Sequence, residues 1–280
     1  MSAYLLHLAI LAGIYILLAI SLNLIVGYAG QVSLGHAAFY GIGAYASALV
    51  ALNWHFPFPL AALSAMVVAG GCGLALGLPT LRLKEDYLAI VTLGFGVIAD
   101  LVFLNLEITG GPDGLTGIPA PTLLGLSFRP QARYLVLVTL SVLLVLGFTY
   151  RLVNSYHGRA LRAIRDHEIT AQVMGINTPA YKIMIFTLAA AVAGLAGSLY
   201  AHYITFINPE SFGLHTSILI LCMVVLGGMG SLGGSILGAV ILAALPEVLR
   251  QFHDYQDLIY GAMLVGLLVW RPEGILRRRT

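Results

Sequence analysis

Gly158-Arg-Ala-Leu-Arg-Ala-Ile-Arg-Asp-His-Glu-Ile-Thr-Ala-Gln-Val-Met-Gly-Ile-Asn-Thr-Pro-Ala-Tyr-Lys182 stands between two long apolar runs. It carries Arg159, Arg162, Arg165, Asp166, Glu168 and Lys182 in a chain where charge is otherwise scarce. Such a segment cannot lie in hydrocarbon. It must emerge into water, and the apolar runs beside it then read as membrane spans.

The segment's own period is helical. Leu161, Ile164, Ala171 and Met174 share one broad arc of a helical repeat, with Arg159, Arg162, Arg165 and Asp166 opposite. Gly175 is placed as a helix stop, with Asn177 and Pro179 just beyond it. The pattern predicts one short amphipathic helix, or two, outside the membrane. It leaves two roles open: a solvated segment resting on anionic headgroups, or a docking helix for a partner in water.

Composition extends the reading to the whole chain. Hydrophobic residues make up 59% of the 280 residues and charged residues 9%, where soluble domains carry about 25% charged residues. No Lys, Arg, Asp or Glu precedes Arg82, and none occurs over 183–209 or 211–246. The predicted fold is all-α: a polytopic transmembrane helical bundle over 1–280, with about nine spans, eight to ten being allowed. The spans fall near 4–26, 37–52, 60–79, 87–106, 134–152, 181–206, 217–226, 236–249 and 258–270. The first apolar run lacks a basic stretch before it and is long enough to span, so no cleavable signal peptide is expected.

Two glycine-rich stretches interrupt this pattern, Gly27-Tyr-Ala-Gly-Gln-Val-Ser-Leu-Gly-His36 and Gly227-Gly-Met-Gly-Ser-Leu-Gly-Gly234. Both read as broken backbone, which at membrane depth survives only where protein or a wet cavity lines it. Gly70, Gly71, Gly73 and Gly77 in the third span read as a close-packing surface between helices.

Basic residues set the orientation. Arg151, Arg159, Arg162, Arg165 and Lys182 cluster around the central segment, and Arg271, Arg277, Arg278 and Arg279 lie in the tail, 271–280. Both are expected on the cytoplasmic side, which puts the 107–133 loop outside; Arg129 and Arg133 run weakly against the rule. The net charge of +2 and the placement of basic residues at membrane boundaries argue for contact with the lipid bilayer and against nucleic acid.

Chemistry is sparse. Asp100 is the acid within a span, His36 follows a break, and Asn23 reads as interhelical glue. Cys72 and Cys222 lie in apolar runs with no metal or disulfide spacing. There is no His-Glu-x-x-His, no spaced Asp pair and no Gly-Lys-Ser/Thr phosphate loop. No catalytic residue, metal site or nucleotide site is therefore expected in this chain.

The sequence resembles the permease subunits of bacterial branched-chain amino acid ABC transporters, the LivM-type inner-membrane subunits. The likeness rests on the two glycine-rich stretches, on Gly111-Pro-Asp-Gly-Leu-Thr-Gly-Ile-Pro119, and on Gly158 to Asp166 running on to Glu168 and Met174-Gly175-Ile176. Trp270-Arg-Pro-Glu-Gly-Ile-Leu276 also fits. The resemblance implies half of an alternating-access pathway for branched-chain amino acids in the bacterial inner (plasma) membrane. Urea, short amides or aromatic acids are alternative cargoes within the class, and a stand-alone secondary carrier is the reading outside it. The implied partners are a LivH-type second permease subunit, two cytoplasmic ATPase subunits that bind ATP and Mg²⁺, and a periplasmic substrate-binding protein.

The resemblance also assigns roles. Residues 158–176 become the ATPase-coupling segment, through Gly158, Arg159, Leu161, Arg162, Ile164, Arg165, Asp166, Glu168, Ala171, Met174 and Gly175. The groove anchors are expected among Leu161, Ile164, Ala171 and Met174, with the arginines fixing register. The wider importer loop pattern is Glu-Ala-Ala, three residues, then Gly; here Ala171 and Gly175 keep the spacing, but Ile169 stands where Glu belongs, with Glu168 one place early. Gly30, Gln31, Ser33, Gly35 and His36, with Gly227, Gly228, Gly230 and Ser231, are expected along the pathway. Gly111, Asp113, Gly114 and Thr116 belong to a periplasmic loop. Bulky substitution at Gly35 or Gly230 is expected to abolish substrate uptake while ATPase subunits still co-purify; normal uptake would remove these stretches from the pathway.

Overall fold

Charge-free runs form the long helices their composition demands. The computed structural model describes residues 3–80, 85–123, 126–128 and 130–248, together with 261, 266, 274 and 275. The chain runs α1 (Ala3–Asn23), a π turn (Leu24–Tyr28), α2 (His36–Trp54), α3 (Phe58–Thr80), α4 (Glu85–Asn105) and α5 (Gln131–Asn154). Two short helices follow, α6 (Tyr156–Asp166) and α7 (Glu168–Val173), then α8 (Thr178–Ile204), α9 (Leu214–Gly227) and α10 (Leu232–Val248). Among the described residues, six helical stretches are long and apolar enough to cross a membrane, and 232–245 is a shorter apolar helix. The protein is an all-α polytopic bundle. The charged turn expected at 82–86 lies outside the described residues as far as 84, and the span expected at 258–270 does so apart from Gly261 and Gly266.

α1 is the central pillar. Every residue from Leu17 to Tyr28 is buried, as expected of a helix that is apolar on all sides. It packs on α5, α8, α9 and α10. The densest seam joins α8 to α2 and α3. It is built from small residues, which let helix axes approach where lipid supplies no hydrophobic drive. A Cβ on Gly194 would meet the Ala65 carbonyl and the Ala69 methyl, and one on Gly73 would meet Ala190. Gly70 and Gly77 also face α8, whereas Gly71 has nothing near its Cβ position and faces away.

The end of the bundle remote from α6 and α7 is closed by short strands. β1 (Leu115–Thr116) pairs antiparallel with β4 (Phe206–Ile207), and β2 (Thr122–Leu123) with β3 (Leu126–Ser127). The first pair ties the 111–116 loop to the end of α8.

Gly194→Leu should wedge α8 off α3 at a cost of about 1–3 kcal/mol, lowering the unfolding temperature in detergent, while Gly71→Leu leaves it unchanged. Equal melting temperatures for the two variants would refute this seam.

Candidate functional site

The two glycine-rich breaks and the charged segment, remote in sequence, come together at one end of the bundle. α1 ends in the π turn, and Gly30 (φ +71°) turns the chain out of the helix, with the Gln31 amide closing back on the Ile25 carbonyl at 3.1 Å. Residues 30–35 are non-helical. The 227–231 turn lies directly against the π turn: a Cβ on Gly27 would collide with the backbone of Gly230. Asn23 fastens the contact. Its Oδ1 accepts from the Gly230 amide at 2.8 Å, and its Nδ2 donates to the Ser231 carbonyl at 3.1 Å. The tail joins the same place, since the Ile275 amide donates to the Leu226 carbonyl at 2.9 Å and Gly274 abuts Gly228.

The rest of the first break is pinned by lone polar residues of other spans. The Leu34 amide donates to Thr92 Oγ1 at 3.0 Å, the Ala37 amide donates to Ser217 Oγ at 3.0 Å, and a Cβ on Gly35 would strike the Thr92 carbonyl. Ser21 Oγ lies 2.5 Å from His36 Nε2 while donating to the Leu18 carbonyl. Because the hydroxyl has one proton, the imidazole donates through Nε2, leaving Nδ1 an acceptor. That nitrogen, Gln31 Oε1 and Ser33 Oγ are buried without a protein partner. Asp100 lies half-buried beside a cavity of about 50 Å³ next to Leu34 and Ser217.

The charged segment is two helices because His167 is extended (φ −155°, ψ 95°). That residue resets the helical phase, so the arc expected to run from Leu161 to Met174 is cut. Leu161, Ile164 and Ala171 are buried against this chain's own bundle, which leaves Met174 as the exposed member of the four. The surface of the other three is already covered, and they seat the segment with about 1.5–3 kcal/mol for each large apolar side chain. The apolar surface left open is on and just after α7: Ile169, Val173 and Met174 are 79%, 81% and 78% exposed. Val173 and Ile169 were missed because the interrupted phase hid them.

The arginines divide their roles. Arg159 is exposed beside the Tyr156 ring. Arg162 caps the end of α5 by donating to the Val153 carbonyl (3.2 Å), and also donates to the Gly158 carbonyl (3.1 Å) of its own helix. Arg165 turns inward to the Gly27 carbonyl at 2.8 Å and pairs with Asp166. Glu168 bridges to the buried Lys182 at 2.5 Å. Gly175 (φ +84°) ends α7, and Asn177 caps α8 through the Ala180 amide. Gly158 fits only as glycine, against the Val153 carbonyl.

At the remote end, Gly111 and Asp113 form a tight turn, Gly114 abuts the Ile207 carbonyl and Thr116 pairs with Phe206. A cavity of about 740 Å³ opens there between His7, Gln131, Tyr134, His202, Tyr203 and residues 117–120. Its polar groups engage one another: His7 Nδ1 is 2.6 Å from Tyr203 Oη, and His202 Nδ1 donates to the Pro119 carbonyl at 2.7 Å.

The family model for the branched-chain amino acid transport system permease component matches residues 4–268. The chain belongs to this permease family. It is 41% identical to the high-affinity branched-chain amino acid transport system permease protein LivM of Escherichia coli K12, over 96% of this chain and 69% of that one. It is 27% identical to LivH of Salmonella typhimurium LT2 over 96% of this chain and 92% of that one. It is also 32% identical to the autoinducer 2 import system permease protein LsrC of Yersinia enterocolitica, over 81% and 64%. No solved structure matches. As a member of this permease family, the chain is a non-catalytic membrane subunit. Among the described residues no group of three or more His, Cys, Asp or Glu side chains is placed to hold a metal.

Asn23→Leu strands the buried Gly230 amide, at a cost of about 1–3 kcal/mol, while the Ser231 carbonyl keeps the Ser235 amide and hydroxyl. The purified permease should unfold at a lower temperature and give a broader elution profile in detergent; an unchanged melt would show that Asn23 does not hold the turn.

Proposed function

We propose that this chain is the LivM-type permease subunit of an ATP-driven importer of branched-chain amino acids, in the bacterial inner membrane. Family membership supports the permease role, and the identity to LivM over almost the whole chain supports the cargo. The observation that carries the coupling is the two-faced segment: α6 buries its inner side in the bundle, while Ile169, Val173 and Met174 offer an apolar cluster outward. In water such a cluster marks a docking surface. The arginines and lysine around it put that side in the cytoplasm by the positive-inside rule, with the 111–116 loop periplasmic and the tail cytoplasmic.

The partners on this reading are a LivH-type permease, two cytoplasmic ATPases and a periplasmic binding protein. ATP and Mg²⁺ are bound by the ATPases, and this chain needs no cofactor of its own. α6 and α7 form the element that an ATPase groove grips, in the manner of a helix seated in a groove. The pathway runs past the non-helical 30–35 stretch and His36, whose backbone and buried polar atoms supply polarity without charge. Selectivity for a zwitterion then falls mainly to the binding protein.

A Val173→Asp/Met174→Asp double variant, expressed with its neighbouring subunits, should lose ATPase co-purification about tenfold or more while still retaining the sister permease. Undiminished ATPase capture, or leucine uptake by the purified chain alone without ATP, would overturn the reading.

A further inference from the structure

α6 is fastened to the bundle by a side chain that is partly exposed at its flank yet reaches inward with one nitrogen. Arg165 sits in the last turn of α6, where a guanidinium would ordinarily face water. Its Nη1 instead donates to the Gly27 carbonyl at 2.8 Å. Gly27 lies in the π turn that ends the first span, and the chain leaves the helix at Gly30. The carbonyls of a last helical turn have no amide ahead of them to accept from. At membrane depth such a group must find a donor within the protein. Arg165 supplies it from a segment 138 residues away.

The same side chain touches both breaks. A Cβ on Gly30 would stand 2.6 Å from Arg165 Cγ, and one on Gly230 would stand 3.1 Å from its Nη1. Asp166 Oδ1 accepts from Nε and Nη2, both at 3.2 Å, leaving Nη1 aimed at Gly27. The neighbouring α7 is anchored elsewhere, through Glu168 and Lys182 at the foot of α8. The two-helix segment is therefore tied to α8 through Glu168 and Gln172, to the end of α5 through Arg162, and to the junction of the breaks through Arg165.

We propose that the Arg165 guanidinium is the mechanical link between the coupling segment and the inner end of the pathway. It clasps the Gly27 and Gly230 breaks together and carries α6 movement to the inner end of α1. The proposal rests on the importer reading above and deepens it: Arg165 transmits force within this chain and does not bind the ATPase. A charged donor suits the task, because its hydrogen bond is short and strong and its planar fork, set by Asp166, transmits direction as well as tension.

The test uses the whole complex, with ATPases, sister permease and binding protein, in proteoliposomes. Leucine uptake and ATP hydrolysis are measured in the same vesicles, and their ratio is the readout. Arg165→Ala should lower leucine moved per ATP about tenfold, with ATP hydrolysis and subunit composition unchanged. Arg165→Lys keeps a charged donor without the fork, and its ratio should fall between. An unchanged ratio in Arg165→Ala overturns the link. Loss of the ATPases from an intact permease pair also overturns it, since Arg165 would then be a docking residue. Where Arg165→Ala does not assemble a permease pair, a wild-type ratio in Arg165→Lys overturns it alone. Failure of the unmodified complex to couple uptake to ATP is failure of the importer reading, and is seen before any variant is compared.

Discussion

Backbone that leaves a helix inside a bilayer has no water to bond with, and this architecture depends on how that demand is met. The first span stops at Gly30, and the α9–α10 connection is a glycine turn. Each break exposes peptide groups that a plain helix would satisfy internally. Here they satisfy one another through intermediaries: Asn23 for the 230–231 peptides, Arg165 for Gly27, Thr92 and Ser217 for the 34–37 amides. Few polar side chains occur in these spans, and several of them are placed at the breaks. Glycine is required for different reasons at 27, where a Cβ would strike the Gly230 backbone, and at 230, where φ is +80° and a Cβ would crowd the Gly27 carbonyl.

The bundle was legible in the sequence because length and charge scarcity leave a chain little choice in lipid. The breaks were legible too, since Gly27 to His36 and Gly227 to Gly234 cannot continue a helix comfortably. What could not be read was their meeting. Asn23 and Ser231 are separated by 208 residues, and no local pattern announces a contact of that range. Asn23 did carry a signal, as an amide within an apolar run, but not its address. The α6 arginines looked alike on a helical wheel; only the fold divides them into an outward Arg159, a capping Arg162 and an inward Arg165. The groove anchors misled for a definite reason. A single extended residue, His167, shifts the phase of everything after it, and periodicity counted across it puts Ile169 and Val173 on the arginine face.

The placement of apolar residues also separates two jobs that an amphipathic pattern merges. Leu161 and Ile164 hold the segment to its own chain, and Ile169, Val173 and Met174 are free for another. A transmitter of force needs both attachments, because a helix gripped by a partner but loose on its bundle would swing without moving the spans. The inner attachment is correspondingly heavy: buried aliphatics, the Arg162 cap on α5, the Glu168–Lys182 bridge and the Arg165 hook. α8, to which the bridge leads, is also the helix most closely seamed to α2 and α3.

The buried acceptors at Gln31, Ser33 and His36 bear on how such a movement is driven. Gln31 Oε1 and Ser33 Oγ in the non-helical stretch, and His36 Nδ1 at the start of α2, have no partner within the protein, and such groups cost about 1–3 kcal/mol if they stay unpaired. On the importer reading, an arrangement that opens this stretch to water or substrate would relieve that cost. The packing of Gly35 on Thr92 and of Gly27 on Gly230 works the other way, since close backbone contact is lost on opening. A transporter that alternates between states needs neither to be overwhelmingly favoured, because a partner can shift the balance only by its differential affinity for the two. On the importer reading, polar atoms without protein partners set against close glycine contacts would favour different states, without a fixed charge at the break.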